Sequence, residues 1–248
     1  MFKKLVPLNK DKHAKTKVTP ISSFAFASKF HIASLMVHEF ARAASVYPIV
    51  FLEDKEQDEF KPVVMFGLDA GENLFIAEDG SWKASYVPAI IRRYPFALAK
   101  SDQADQFTVC IDEDADCVGT KDGQALFEKG EPTVIIDNVK KYLGEMQQME
   151  IFTKAFCTFM AENNLFTPLS MRVRYGGQIR NVTGCYVINE ERLNNLSDKR
   201  FLEIREKRYF APIFAHLTSL SQLERLAMLK DGQTSLKPGE TEPVIAES

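Results

Sequence analysis

The chain is poor in the residues that dedicated chemistry needs. Its 248 residues include 4 cysteines, 4 histidines and 1 tryptophan. Cys110, Cys117, Cys157 and Cys185 show no paired short spacing and no accompanying histidine, so a zinc centre would require unrelated segments to converge. They read as reduced, buried thiols. No phosphate loop or nucleophile elbow is present. No window approaches the roughly 18 apolar residues of a membrane helix, and the N-terminal lysines are not followed by the apolar run of a secretory signal. The expected compartment is the cytoplasm, with export by a route that reads no cleavable signal left open. A net charge of -3 lacks the basic excess that marks a nucleic-acid binder. Neither a metal nor a cofactor is expected.

What is present is the composition of a soluble globular protein, 45% hydrophobic and 26% charged, with 19 phenylalanines to fill a bulky core. The length suits one large domain or two packed closely. Residues 1–20 read as a basic arm, with six lysines against Asp11. Residues 21–230 read as an α+β domain, open to division into two subdomains near 118–138. Residues 231–248, with prolines and acids, read as a disordered tail. The fold class is α+β, with an antiparallel or mixed sheet packed against a long central helix and C-terminal helices.

Periodicity places the elements. Phe24 and Phe26 alternate with small residues as in a strand, and Leu35, Met36, Phe40 and Ala43 recur at helical spacing over Ala33 to Val46. Strand-like runs follow at Ile49 to Glu53, Val63 to Leu68, Leu74 to Ile76, Phe96 to Ala99 and Phe107 to Ile111. A short helix is expected over Tyr86 to Tyr94. The longest helix is expected from Val139 to Asn163, capped by Asp137 or Asn138. Gly176-Gly177 marks a hairpin between Ser170 to Tyr175 and Ile179 to Asn189. Asn189 and Ser197 or Asp198 cap two helices, and Pro212 opens a third that Asp231-Gly232 stops.

Several constellations could carry function. Trp82 follows the Asp79-Gly80 turn and precedes the paired Arg92 and Arg93 and Tyr94, a grouping suited to recognising a carboxylate or phosphate. The same residues suit a structural clasp, with a guanidinium stacked on Trp82. His38 and Arg42, four apart, would share a helix face and with Glu39 form a base or an anion site; the alternative is helix surface. His216 could pair with Ser219 or a distant acid, or simply pack. Asp112, Asp114 and Asp116 match the opening of a calcium loop, but Cys117 and Gly123 occupy the positions that need glycine and glutamate. An acidic solvated loop is the expectation there. Arg172, Arg174 and Arg180 form a basic strip on the hairpin, open to an anion or to solvent.

Further along the same residues, motifs accumulate. His38-Glu39-Phe40-Ala41 with Tyr47-Pro48-Ile49-Val50-Phe51, Gly71-Glu72-Asn73-Leu74-Phe75, Asp79-Gly80-Ser81-Trp82, Tyr86-Val87-Pro88-Ala89 with Arg92-Arg93-Tyr94-Pro95-Phe96, Gly184-Cys185-Tyr186-Val187-Ile188 and Ala215-His216-Leu217-Thr218-Ser219-Leu220 together span about residues 20 to 230. With them the chain resembles the SapC family of bacterial proteins. The resemblance implies a link to surface-layer biogenesis or secretion, and a genetic setting beside halogenase-like proteins, cupin-like proteins and TonB-dependent receptors. It supplies no catalytic residues to carry over. With the aromatic beside paired arginines, the expected role is a non-catalytic accessory protein that binds a peptide, substrate or partner enzyme through Trp82, Arg92, Arg93, Tyr94, His38 and Arg42. The alternative is a hydrolase or oxygenase-like enzyme using His38 or His216.

Overall fold

The computed structural model describes residues 1–100 and 107–235. Chain order begins with strands β1 (Leu5–Pro7), β2 (Lys17–Val18) and β3 (Ile32–Ser34), then the one-turn helix α1 (Phe40–Ala43). A hairpin of β4 (Ile49–Asp54) and β5 (Glu59–Met65) follows, then α2 (Ala89–Arg92), and a cis Tyr94–Pro95 bond precedes the pair β6 (Phe96–Lys100) and β7 (Phe107–Asp112). The two-residue strands β8 (Val118–Gly119), β9 (Gln124–Ala125), β10 (Phe127–Glu128) and β11 (Glu131–Pro132) lead into the 29-residue helix α3 (Val134–Glu162). Then come β12 (Phe166–Pro168), β13 (Met171–Tyr175), β14 (Gln178–Val182) and β15 (Tyr186–Ile188). Helices α4 (Glu190–Asn194), α5 (Asp198–Glu206), α6 (Phe210–Ser219) and α7 (Gln222–Ser235) close the described chain. The class is α+β, as expected from the sequence.

The central sheet runs β12-β15-β4-β5-β3 with every neighbour antiparallel. Register pairs Ile32 with Met65 and Val50 with Val63, so these four and Leu52 share one face, while Ala33, Ile49, Phe51 and Val64 share the other. The second face packs on α3 and α6, where Phe51 meets the rings of Phe156 and His216. The first face looks toward the β13–β14 hairpin, which α7 supports from behind. In that hairpin Gly176 and Gly177 both have positive φ, 61° and 71°, as a two-residue connection requires. A smaller core of Phe96, Ile111, Leu126, Phe127, Ile136 and Leu143 lies against the first half of α3.

Local patterns misplace several elements. Phe24 and Phe26 flank and enter a 3-10 turn, Ala25–Ala27, because Phe26 stacks on Tyr94 at 4.0 Å. The helix expected over Ala33 to Val46 is instead β3, a 3-10 turn at Val37–Glu39 and α1, since Ile32–Ser34 completes the edge of the central sheet. Leu74 to Ile76 is no strand; a single bridge joins Ile76 to Trp82. The long helix starts at Val134, where the Thr133 hydroxyl ties its entrance to Ala125 and Leu126 carbonyls. The second arm of the glycine hairpin ends at Val182, and β15 joins the central sheet instead. The helix opened by Pro212 divides around Leu220 and Ser221. Its second part, α7, runs through Asp231-Gly232 to Ser235, so the start of the expected tail is helical. The remainder of that tail lies outside the described residues.

The basic arm and the acidic loop, both expected to be solvated, hold each other. Asp112 is fully buried and accepts the amides of Lys3 and Lys4 at 2.9 and 2.7 Å. Glu113 meets Lys4, Lys12 and the buried His13 at 2.9, 2.6 and 3.2 Å, and Lys3 reaches Asp116 at 3.6 Å. Lys12 and Lys4 hold the Glu113 carboxyl down to about 2. Its contribution is therefore present above the ordinary carboxylate range and is lost as pH falls toward 2. The variant Glu113→Gln is expected to stay folded at pH 7 but to exchange the amide hydrogens of residues 3–13 faster than wild type, as hydrogen-exchange mass spectrometry would show.

Candidate functional site

Trp82 is set by the turn before it. Gly80 has φ +80°, and a Cβ there would meet Ser23 Oγ at 2.0 Å, so this position admits only glycine without rearrangement. The turn closes with Ala77 N–H donating to the Ser81 carbonyl at 2.9 Å. The Trp82 indole N–H then donates to the Tyr47 hydroxyl at 2.8 Å and to the Tyr86 carbonyl at 3.1 Å, and the Tyr47 hydroxyl donates to the same carbonyl. Burial pushes the Tyr47 hydroxyl well above its ordinary pKa. Tyr86 continues the chain of bonds, its hydroxyl donating to Glu39 Oε1 at 2.5 Å. Glu39, only 2% exposed, also accepts Ala89 N–H at 2.8 Å and Met36 N–H at 3.0 Å. One carboxylate thus ties the entrance of α2 to the turn before α1.

Neither arginine stacks on Trp82 among the described residues, in contrast to the expected clasp. The indole packs instead against Phe24 and Phe66, at 5.4 and 5.2 Å. Successive helical positions point about 100° apart, and the two guanidinium groups separate accordingly. Arg92 is exposed, donates to the Val87 carbonyl at 2.9 Å and lies 5.8 Å from the Tyr86 and Tyr142 rings. Arg93 lies 5.6 Å from the Phe2 ring, and its buried Nε meets no acceptor among the described residues. Desolvation lowers its pKa. Tyr94 is buried against Phe26 and Phe2. His38 and Arg42 are both exposed, but the backbone passes from 3-10 to α geometry between them, which removes the continuous helix that their shared face presumed.

His216 is fully buried, and both ring nitrogens are engaged. Nδ1–H donates to the Ile49 carbonyl at 2.9 Å and Nε2 accepts the Ile188 amide at 3.0 Å, partners that define the neutral tautomer. Burial lowers its pKa to about 4. The Ser219 hydroxyl accepts Ile49 N–H at 2.9 Å and donates to the His216 carbonyl at 2.6 Å, not to the ring. The β4–β15 register pairs Tyr186 with Phe51, and its continuation would set Ile188 opposite Ile49. The imidazole stands between those two backbones and completes a ladder they do not close directly.

An open concavity exists on the other face of the same sheet. A cleft of about 450 Å³ separates the central sheet from the glycine hairpin. Ile32, Val50, Leu52 and Met65 form its floor, and Val173, Tyr175 and Val182 face them. Its polar rim carries His31, Arg180, Asn181 and Thr183. Cys185 also reaches the cleft, but burial raises its thiol pKa, which disfavours the thiolate that attack requires. Arg180 lies 5.0 Å from the Tyr175 ring and forms no ion pair among the described residues. The hairpin is braced: Tyr175 donates to Asp69 at 3.3 Å, Lys230 pairs with Asp69 at 3.1 Å and with Glu72, and Gly176 N–H donates to Asp231 at 2.6 Å. The volume lies within the usual range of small-ligand pockets, and an apolar floor with a few polar rim groups is their usual lining.

A family model described as SapC matches residues 8–226. The chain belongs to the SapC family. No curated protein and no solved structure matches it. Several motif residues of this SapC chain serve the interior: buried Glu39 and Tyr47 join the half-buried Tyr86 and Trp82 in the hydrogen-bond chain, and buried His216 and Ser219 form the sheet spacer. Of the cleft, sequence reasoning singled out Arg180 and assigned Cys185 to the buried thiols. Alternation in β4 and β5 marked the floor residues as sheet, but which face stays open depends on where the hairpin docks.

Proposed function

We propose that this SapC chain is a non-catalytic binding protein whose cleft takes an amphiphilic carboxylate, with its apolar body on the Ile32, Val50, Leu52 and Met65 floor and its charge at Arg180. The observation that carries the reading is the 450 Å³ cleft with an apolar floor and, on its polar rim, a guanidinium that forms no ion pair among the described residues. An accessory role in a surface-layer, secretion, halogenase or TonB-receptor system is the setting the family resemblance implies. The two histidines singled out from the sequence offer no competing site: His216 has no free nitrogen, and His38 has no side-chain hydrogen-bond partner among the described residues.

Isothermal titration with dodecanoate is the direct check. Saturable one-to-one binding is expected, weakened about tenfold by Arg180→Ala, the loss of one charge-assisted hydrogen bond. Leu52→Trp, which fills the floor, is expected to abolish it. No saturable binding, or wild-type affinity in both variants, would overturn the assignment.

A further inference from the structure

Helix α6 (FAPIFAHLTS) contains no lysine, arginine or carboxylate. Its inner side, including Ile213 and His216, is buried, yet its outer side is apolar as well: Phe214 is 52% exposed. Phe210 stacks at 6.2 Å on Phe214 and lies 4.8 Å from Phe201 of α5, which is 46% exposed. Leu202 beside it is half exposed. A helix apolar all round is ordinarily a buried one, so this aromatic ridge lacks its cover in the isolated chain. Arg205 follows Phe201 at a spacing of four along the same side of α5, and Arg208 lies in the turn after the helix, two residues before Phe210. Both are exposed, and neither forms an ion pair among the described residues.

We infer that the ridge docks on an anionic lipid surface. The phenylalanines project from the helices instead of lining a groove, so they need a medium that yields around them, as the headgroup boundary of a bilayer does. Guanidinium groups alongside are matched to lipid phosphates. No helix among the described residues is long and apolar enough to cross a membrane, so the attachment is peripheral. The N-terminal lysines Lys3, Lys4 and Lys12 are less suited to this role, being paired with Glu113 and Asp116.

The test is co-sedimentation of the full chain with vesicles of phosphatidylglycerol and phosphatidylcholine in equal parts, against phosphatidylcholine alone. Binding to the anionic vesicles only is expected, weakening as salt rises. The double change Arg205→Gln with Arg208→Gln should weaken it about 30-fold, since each basic group near such a surface contributes about 1 kcal/mol. Phe201→Ser with Phe214→Ser should weaken it at least as much while thermal denaturation confirms the fold. Leu52→Trp should leave it unchanged, which separates this surface from the cleft. Equal binding to both vesicles, no binding, or indifference to the ridge variants would overturn the inference. So would a concentration-dependent dimer that Phe214→Ser dissolves and that ignores vesicles, because the cover would then be a second copy.

Discussion

His216→Ala is expected to destabilise the fold by about 3–4 kcal/mol in chemical denaturation. The change removes a ring packed against Phe51 in the core and leaves the Ile49 carbonyl and the Ile188 amide without their partners. Each orphaned buried polar group costs about 1–3 kcal/mol, and the cavity adds to that. The same residue makes stability depend on pH. Its folded-state pKa, about 4, lies below the 6.5 of the unfolded chain, so the unfolded state takes up the proton first. The contribution is complete above pH 6.5 and is lost progressively as pH falls from 6.5 to about 4, a total of roughly 3 kcal/mol. In His216→Gln that part of the pH dependence should disappear. A stability curve that stays equally steep there would show that other groups carry it.

Glu39→Ala is expected to have a comparable effect, about 3–5 kcal/mol, because three donors converge on one buried carboxylate: the Tyr86 hydroxyl and the amides of Ala89 and Met36. Glu39→Gln separates shape from hydrogen bonding. Its amide oxygen can still accept from Tyr86 and Ala89, while the amide nitrogen is set against the Met36 N–H, so a smaller loss of about 1–2 kcal/mol is expected. Trp82, the sole tryptophan, is bonded to Tyr47 and Tyr86 in the same network, so its fluorescence follows the unfolding of this region. Equal losses in the two variants would mean that the network tolerates no amide, and a negligible loss in both would mean that it does not hold α1 to α2.

The turns and caps were legible because their chemistry is local. Gly176-Gly177 announced its hairpin, and Asn189 and Ser197 cap α4 and α5 with side chains that accept the amides of Arg192 and Arg200. Elements fixed by distant partners were not. Leu35, Met36, Phe40 and Ala43 keep helical period, but the residues just before them complete a sheet edge beside β5, whose position no local pattern encodes. Trp82 was recognised as central, while its hydrogen-bond partner Tyr47 lies 35 positions away, and Phe24 and Phe66 pack on the indole where an arginine was expected to stack. His216 joins Ile49 and Ile188, separated from it by 167 and 28 positions, so a residue read as a base or a packing group serves as a sheet spacer. Glu39 drew attention only beside His38, and it is Glu39 that is buried and bonded.

The charged segments followed the same physics. A basic arm and an acidic loop each look like solvated surface when taken alone, and only the fold brings Lys4 and Lys12 within 2.9 and 2.6 Å of Glu113. The two sides of the central sheet differ. The side of the central sheet facing α3 and α6 is closed by packing and by His216, whereas the side facing the glycine hairpin keeps an apolar opening with Arg180 at its rim.

Methyl chemical-shift mapping during a dodecanoate titration tests that assignment most directly. Shifts that saturate together at Ile32, Val50, Leu52 and Met65, with the methyls near Trp82 and His216 unmoved, are the predicted result. Shifts confined to the aromatic ridge or the Arg92 surface, or none that saturate, would contradict a binding site on the sheet.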